Sequence, residues 1–351
     1  MNETSATWKR IVPVRALRWL FCIFLIAFHL PACQQRPQNE VVVYTSLDQI
    51  FSEPVFKNFE EHTAIKVKAL YDTETSKTVG LVNRLIAEKE HPQADVFWNS
   101  EIVRTILLKK KGILQPYVSP SAAAIPPHFK DAAGYWTGFA ARARVLVVNR
   151  NLLPEGDYPR SLQALVAPRW KGRAGMALPL FGTTNTHMLA LYQLWGPQKT
   201  EAFFEQGRAN QVQVLLSNSV VRDRVADGVL AFGLTDSDDA YVGKRRGKPV
   251  DMVYPDQDNG GTLLIPNTVG LLAGAPHPEN GKKLIDYLLS EKVEETLAFG
   301  DSMQIPLRPG VKRPAHCPSV EQLTIAAVDY DALANNIEEY SERLRTIFLH
   351  K

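Results

Sequence analysis

Cysteine is scarce in this chain of 351 residues: there are three, Cys22, Cys33 and Cys317. A framework of disulfides, which needs several cysteines in pairs, is thereby excluded. Long apolar runs are missing too. The apolar run at residues 19–30 falls short of the roughly 20 residues that a bilayer-spanning helix needs. Neither sign of charge dominates, with 40 Lys and Arg against 37 Asp and Glu. That balance argues against nucleic acid as a partner, because such binding is driven by clustered Lys and Arg. Enzyme signatures are absent as well. The eight histidines form no H-E-x-x-H and no close pair suited to zinc. No G-x-S-x-G and no G-x-G-x-x-G occurs. Gly228 and Gly233 have the spacing of a phosphate loop, but Leu234 and Thr235 follow where the motif requires a lysine. Asp236 and Asp238 open like a calcium loop, yet Tyr241 and Gly247 occupy its sixth and twelfth positions.

What is present begins with a leader. Lys9, Arg10, Arg15 and Arg18 precede the apolar run, which ends at Leu30, Pro31, Ala32 and Cys33. A basic segment, a short apolar core and a small residue before a break predict a secretory signal over residues 1–32. Leu30 and Ala32 before Cys33 resemble the lipobox of bacterial lipoproteins, which implies lipidation of Cys33. Residues 33–40 would then be a lipidated polar tether. Removing the leader, with its four basic residues and Glu3, takes the net charge from +3 to 0.

The remainder is long enough for two domains, and an apolar fraction of 45% supplies material for both cores. Its grammar is strand, polar loop, helix, repeated. Residues 41–44, VVVY, form a continuous apolar run of the kind found in strands covered on both faces. Ser52 and Pro54 suit a helix start. Thr73 or Thr75 suits another, and a strand follows at residues 94–98. A helix is predicted over residues 101–111 and a strand over 142–149. Further on, strands are expected at residues 173–177, 212–215, 230–234, 250–254, 262–265 and 267–272. Helices are expected at residues 184–194, 220–226, 279–289, 292–299 and about 331–349. The last carries Leu333, Ile337, Tyr340, Leu344 and Ile347 at helical spacing, so it packs on a domain.

In an open α/β sheet, ligands bind beyond the carboxyl ends of the strands. That places Ser46 and Asp48 in a first loop and Asn99, Ser100 and Glu101 in a second. Gly182, Thr183 and Thr184 form a third, and Asn218 and Ser219 a fourth. Thr235, Asp236, Ser237 and Asp238, with Asp239 beside them, form a fifth. Free amides and hydroxyls at a helix start make an anion site, a role that Gly182 to Thr184 and Asn218 with Ser219 fit as readily as plain capping. Asp48, Glu101, Asp236 and Asp238 can converge on a hard cation or an ammonium group, or else cap helices and complement their dipoles. Arg142 and Arg144 alternate on one strand face, where one can supply charge to an anion.

These pieces, VVVYTSLDQ, ADVFWNSE, GFAARARVLVVN, APRWKGR, FGTTNTH, SNSVVRDRVADG, LAFGLTDSDD and the run IPNTVGLLAGAPHPENGKKLIDYLLS, resemble solute-binding proteins of bacterial ABC importers. The likeness is to the ferric-iron-binding branch with the type II periplasmic fold, and it covers most of residues 40–310. It implies two α/β lobes, each a mixed sheet flanked by helices, joined by crossing hinge strands. Residues 41–142 with about 267–318 would form the first lobe and 143–266 the second. Residues 319–351 would form a C-terminal helical segment packed on a lobe. The resemblance also implies a monomer in the periplasm or on the outer face of the cell membrane, held there by the lipid on Cys33 and working with an ABC permease and ATPase. Its cargo would be ferric iron with a bound anion, without any cofactor. By position, Asp48 stands where the branch has a metal-ligating His, and Ser100, with Glu101 next to it, where it has a Glu. Ser237 and Asp238 replace its tyrosine pair, so the metal set would be Asp48, Glu101, Asp236 and Asp238. The anion-holding positions Arg142, Gly182, Thr183, Asn218 and Ser219 are retained. The alternative cargo is a small solute bearing phosphate or phosphonate, whose amine meets the aspartates. A sensor subunit, or an enzyme on the same scaffold using Cys317, is the alternative of another class.

Overall fold

The computed structural model describes residues 39–72 and 77–349. The predicted leader, Cys33, Thr73, Glu74 and Thr75 lie outside the described residues.

Strand β1 (Glu40–Thr45) is buried at nearly every position, as the valine run predicts. It lies between two parallel neighbours, β2 (Lys66–Tyr71) and β3 (Val96–Asn99). Helix α1 (Gln49–Thr63) begins three residues before the predicted start and contains Pro54. Pro54 has no amide to donate to the Ile50 carbonyl four residues back, at the exposed start of the helix. Ser52 is no cap. Its buried hydroxyl bonds back to the carbonyls of Leu47 and Asp48. Helices α2 (Val79–Ala87) and α3 (Val103–Lys110) follow, the latter ended by Gly112 at φ 68°, with β4 (Leu114–Gln115) next.

The chain then enters β5 (Thr137–Asn149), buried throughout. Beyond it come β6 (Ala174–Ala177), α4 (Gly182–Trp195), α5 (Pro197–Ala209) and β7 (Gln213–Leu215). Helix α6 (Asn218–Ala226), β8 (Phe232–Asp236), α7 (Ser237–Arg245) and β9 (Val250–Val253) complete that stretch. Strand β10 (Leu264–Leu272) leads back to α8 (Pro278–Leu288) and α9 (Glu291–Phe299). Two predicted strands are thus one, because β10 absorbs Pro266 in a register shift against β5 instead of ending there. Helix α5 has no counterpart in the predicted elements. It starts from Gly196 at φ 79° with Pro197 in its first turn, a signal of a helix start.

The strands run in the order β2-β1-β3-β10-β5-β8-β6-β7, with β4 also on β10 and β9 also on β5. Strand β5 is common to both halves. Residues 137–143 pair with β10, and Arg144 to Val148 pair with β8. The parallel strands β1 and β3 therefore aim their carboxyl ends at the region where β6, β7 and β8 aim theirs. The C-terminal helix is two helices, α10 (Tyr330–Asn335) and α11 (Ile337–Leu349). Asn336 separates them: its side chain donates to the Ala332 carbonyl, competing with the helical ladder. Leu333, Ile337 and Leu344 are buried in a core shared with α3, α4 and α5.

Candidate functional site

At the carboxyl ends of β6, β7 and β8 the chain turns into a helix, through loops after β6 and β7 but directly after β8, so Thr235 and Asp236 end the strand and do not form the expected loop. Helix α4 has Phe181 at its N-cap and no side-chain cap, so the Thr183 and Thr184 amides of its first turn receive no capping bond. The Gly182 amide donates to the Lys77 carbonyl of the first half at 3.1 Å. Gly182 has φ 56°, a conformation a Cβ would strain. Helix α6 is capped by Ser217, which accepts from the Val220 amide and leaves the amides of Asn218 and Ser219 at the turn. Both helix starts border one cavity with Asp48, Lys77, Ser100, Arg142, Asp236 and Asp239. Aligned peptide dipoles make such starts positive.

Below the cavity lies a closed polar network around Arg144. Its Nη1 donates to Asp236 Oδ1 at 2.6 Å and to Thr183 Oγ1 at 3.2 Å. Its Nη2 donates to Thr184 Oγ1 at 3.1 Å, and its Nε to His187 Nδ1 at 3.4 Å. Burial and the Arg144 charge push the His187 imidazole down to about 3, so it is neutral and accepts. Asp236 also accepts from Thr183 Oγ1 at 2.5 Å and from Asn218 Nδ2 at 3.0 Å. Burial works to raise its carboxyl, but Arg144 and Arg142 prevail and hold it below the usual range. Asp236, Thr183, Thr184 and the Asn218 side chain are thus pinned from beneath while the backbone amides above them stay available. Thr235 supports the same turn by donating to the Asn218 carbonyl.

Arg142, two residues before Arg144 on β5, faces the cavity instead. Its guanidinium donates to the Ser100 carbonyl and lies 3.7 Å from Asp236 and 3.6 Å from Asp238. Its Nε is buried with no partner among the described residues. Burial opposes its charge, yet Asp238, Asp236, Asp48 and Asp239 together keep it protonated. Opposite, Lys77 pairs with Asp48, whose side chain is 34% exposed. The cavity encloses only about 40 Å³.

Helix α7 brings two further carboxylates. Burial raises Asp238 to about 6; Arg142 works against this, while Asp236 and Asp48 add to it. Asp239 is raised well above the usual range, by burial first and then by Asp238. Oxygens of Asp236, Asp238 and Asp239 lie within 4.8 Å of one another, close enough to share a cation.

The remaining predicted residues stand behind this surface. Ser46 donates to Asn99 Oδ1 at 2.6 Å and accepts from the Ser100 amide at 2.8 Å. Asn99 donates to Glu101 at 3.2 Å. Glu101, fully buried, accepts from the amides of Val103 and Arg104 and from Thr186 across the cleft at 3.1 Å. Its oxygens therefore cap α3 and bind α4 to it, beneath the cavity. Ser237 accepts from the Ala143 amide at 3.1 Å, so its hydroxyl is spent on β5. Cys317 is buried in the core, its thiol raised to about 11 by that burial. Lys77, Phe181, Leu178 and Leu216, which border the cavity, are residues that sequence reasoning missed. The last three flank loops already identified, so their position alone could have found them; Lys77 carries no such signal.

A sheet with one strand common to both halves, and loops from each half around one polar cavity, is the architecture of a two-lobed binding protein. The chain belongs to the bacterial extracellular solute-binding protein family, whose model matches residues 103–336. It is 24% identical over 293 residues to the Fe(3+)-binding periplasmic protein of Serratia marcescens, covering 82% of this chain and 85% of that one. To the putative 2-aminoethylphosphonate-binding periplasmic protein of Salmonella typhimurium it is 28% identical over 280 residues, covering 77% of this chain and 80% of that one. Among solved structures, the periplasmic binding protein AfuA of Actinobacillus pleuropneumoniae, with exogenous fructose-6-phosphate bound, superposes with a TM-score of 0.79. That pair is 23% identical and covers 89% of this chain and 99% of the other. The expected two-lobed α/β fold and the likeness to ferric-iron-binding proteins are both borne out.

Proposed function

We propose that this chain is the substrate-binding component of an ABC importer and that its cargo is a small organic solute carrying a phosphate or phosphonate group. One observation carries the reading: two helix starts converge with Arg142 and Lys77 on a single cavity. Backbone amides, helix dipoles and a guanidinium match the oxygens of such a group. An ammonium group on the same solute meets Asp48 and Asp239, which border the cavity. The likeness to a putative 2-aminoethylphosphonate-binding protein supports this pairing of charges. Delivery to a permease and ATPase, attachment through lipidated Cys33, and a monomeric, non-catalytic protein belong to the same proposal. So does a division at residues 142–143 and 266–267, which the change of partner along β5 and the register shift in β10 support.

A second reading, ferric iron with a bound anion, is favoured by the three clustered carboxylates, since oxygen donors suit a hard cation. Ser237 and Asp238, at the branch's tyrosine positions, offer it no phenolate. The test is metal analysis of the purified protein, followed by thermal-shift measurements with ferric citrate, phosphate and aminoalkylphosphonates. Stabilisation by the phosphorus compounds without a metal response is expected. Copurifying iron, with stabilisation by ferric citrate alone, would replace this reading with the second.

A further inference from the structure

The walls of the cavity are not uniform. Its charged and hydroxyl-bearing members come from both halves, but its apolar members are Ala177 at the end of β6 and Leu178, Phe181 and Leu216 from the turns after β6 and β7. The Leu178 amide donates to the Leu215 carbonyl at 2.7 Å, which binds these two turns into one ledge. Two features of that ledge bear on the cavity. Phe181 occupies the N-cap of α4, where Ser, Thr, Asp or Asn would satisfy an orphan amide, and it makes no capping bond. Leu216, just past the end of β7, is 77% exposed. A single exposed leucine is unremarkable. Here, however, the exposed leucine and the aromatic in place of a cap border the same anion-binding cavity.

The cavity is small, about 40 Å³, and this ledge is its apolar wall, so the part of a solute lying along it meets hydrocarbon. From these residues we infer that the cargo carries a hydrocarbon substituent on its anionic head, with Leu216 and Phe181 as the residues that select for it. This rests on the reading of the cargo as a phosphate- or phosphonate-bearing solute and narrows it. A sugar phosphate, whose hydroxyls each need a polar partner, is disfavoured at an apolar wall. Each methylene that leaves water against such a wall strengthens binding by about fourfold.

Isothermal titration of the full chain with inorganic phosphate, methylphosphonate, butylphosphonate, phenylphosphonate and fructose-6-phosphate tests this. Butyl- and phenylphosphonate are expected to bind at least about tenfold more tightly than methylphosphonate, as two or three buried methylenes would give. Leu216→Ser should remove most of that advantage, weakening butylphosphonate several-fold more than methylphosphonate. Phe181→Ala should weaken phenylphosphonate most. Equal affinity across the phosphonates, or tighter binding of fructose-6-phosphate, overturns the hydrocarbon inference while the phosphorus-bearing cargo stands. If none of the five binds, the hydrocarbon inference falls, and the phosphorus-bearing cargo is decided by the aminoalkylphosphonates alone.

Discussion

Arg142 and Arg144 are separated by one alanine and have opposite surroundings. Arg144 is sealed among Asp236, Thr183, Thr184 and His187, so its charge is spent on holding two loops in register. Replacing it leaves Asp236 as a buried charge without its main partner. Arg144→Leu should cost about 3–5 kcal/mol in denaturant unfolding, the usual range for breaking a buried pair. A cost below about 1 kcal/mol, typical of exposed pairs, would show that the network is not the support described. Asp238 gives a pH signature. Its carboxyl, raised to about 6, holds a proton in the native chain at pH values where the unfolded chain has released it. Native protein therefore binds more protons between the ordinary carboxylate value and about 6, and stability falls as pH rises through that window. Asp238→Asn should stabilise the protein at pH 7.5, by up to about 3 kcal/mol for a two-unit shift, and should change little at pH 4. Thermal melts of both proteins across pH 4–8 check this; a constant difference at all pH values would contradict it.

At the scale of elements, α4 governs the anion cradle, and Gly182 governs how α4 begins. A side chain at its φ of 56° is strained although space is available, with Lys77 Cβ 4.0 Å away. Gly182→Ala should therefore cost about 1–2 kcal/mol of stability and weaken the binding of stabilising phosphonates, as titration calorimetry can read. The C-terminal pair α10 and α11 is an integral part of the fold: Leu344 is fully buried. Leu344→Ala should cost about 2–5 kcal/mol in denaturant unfolding, against almost nothing for a helix packed on solvent. Much of this was legible in the sequence because each strand, loop and helix leaves a local pattern. The turns leading to Gly182 and Asn218 are legible because polar residues interrupt the apolar pattern, whereas Thr235 and Asp236, polar as well, end β8 and do not leave it. Others eluded local patterns because long-range contacts decide them. Glu101 looks like a free carboxylate until Thr186, 85 residues later, donates to it. Lys77 pairs at the site with Asp48, which the sequence sets 29 residues away. Pro54 looks like a helix start because the first turn at Asp48 carries no capping side-chain bond to announce it.

For the whole molecule, the bond from the Gly182 amide to the Lys77 carbonyl and the contact of Glu101 with Thr186 join the two halves. Binding energy that favours this joined arrangement shifts the population toward it. Small-angle scattering should show a smaller radius of gyration when a stabilising phosphonate is added at saturation. An unchanged or larger radius would mean that capture does not bring the halves together.

Strand β5 carries Arg142 one residue before the point at which its pairing passes from β10 to β8. A solute that grips this guanidinium therefore holds the pivot itself, so capture needs no relay of intermediate residues to be felt on both sides. Affinity and mechanical response are bound up in one short length of backbone, and a change made there to adjust either will disturb the other.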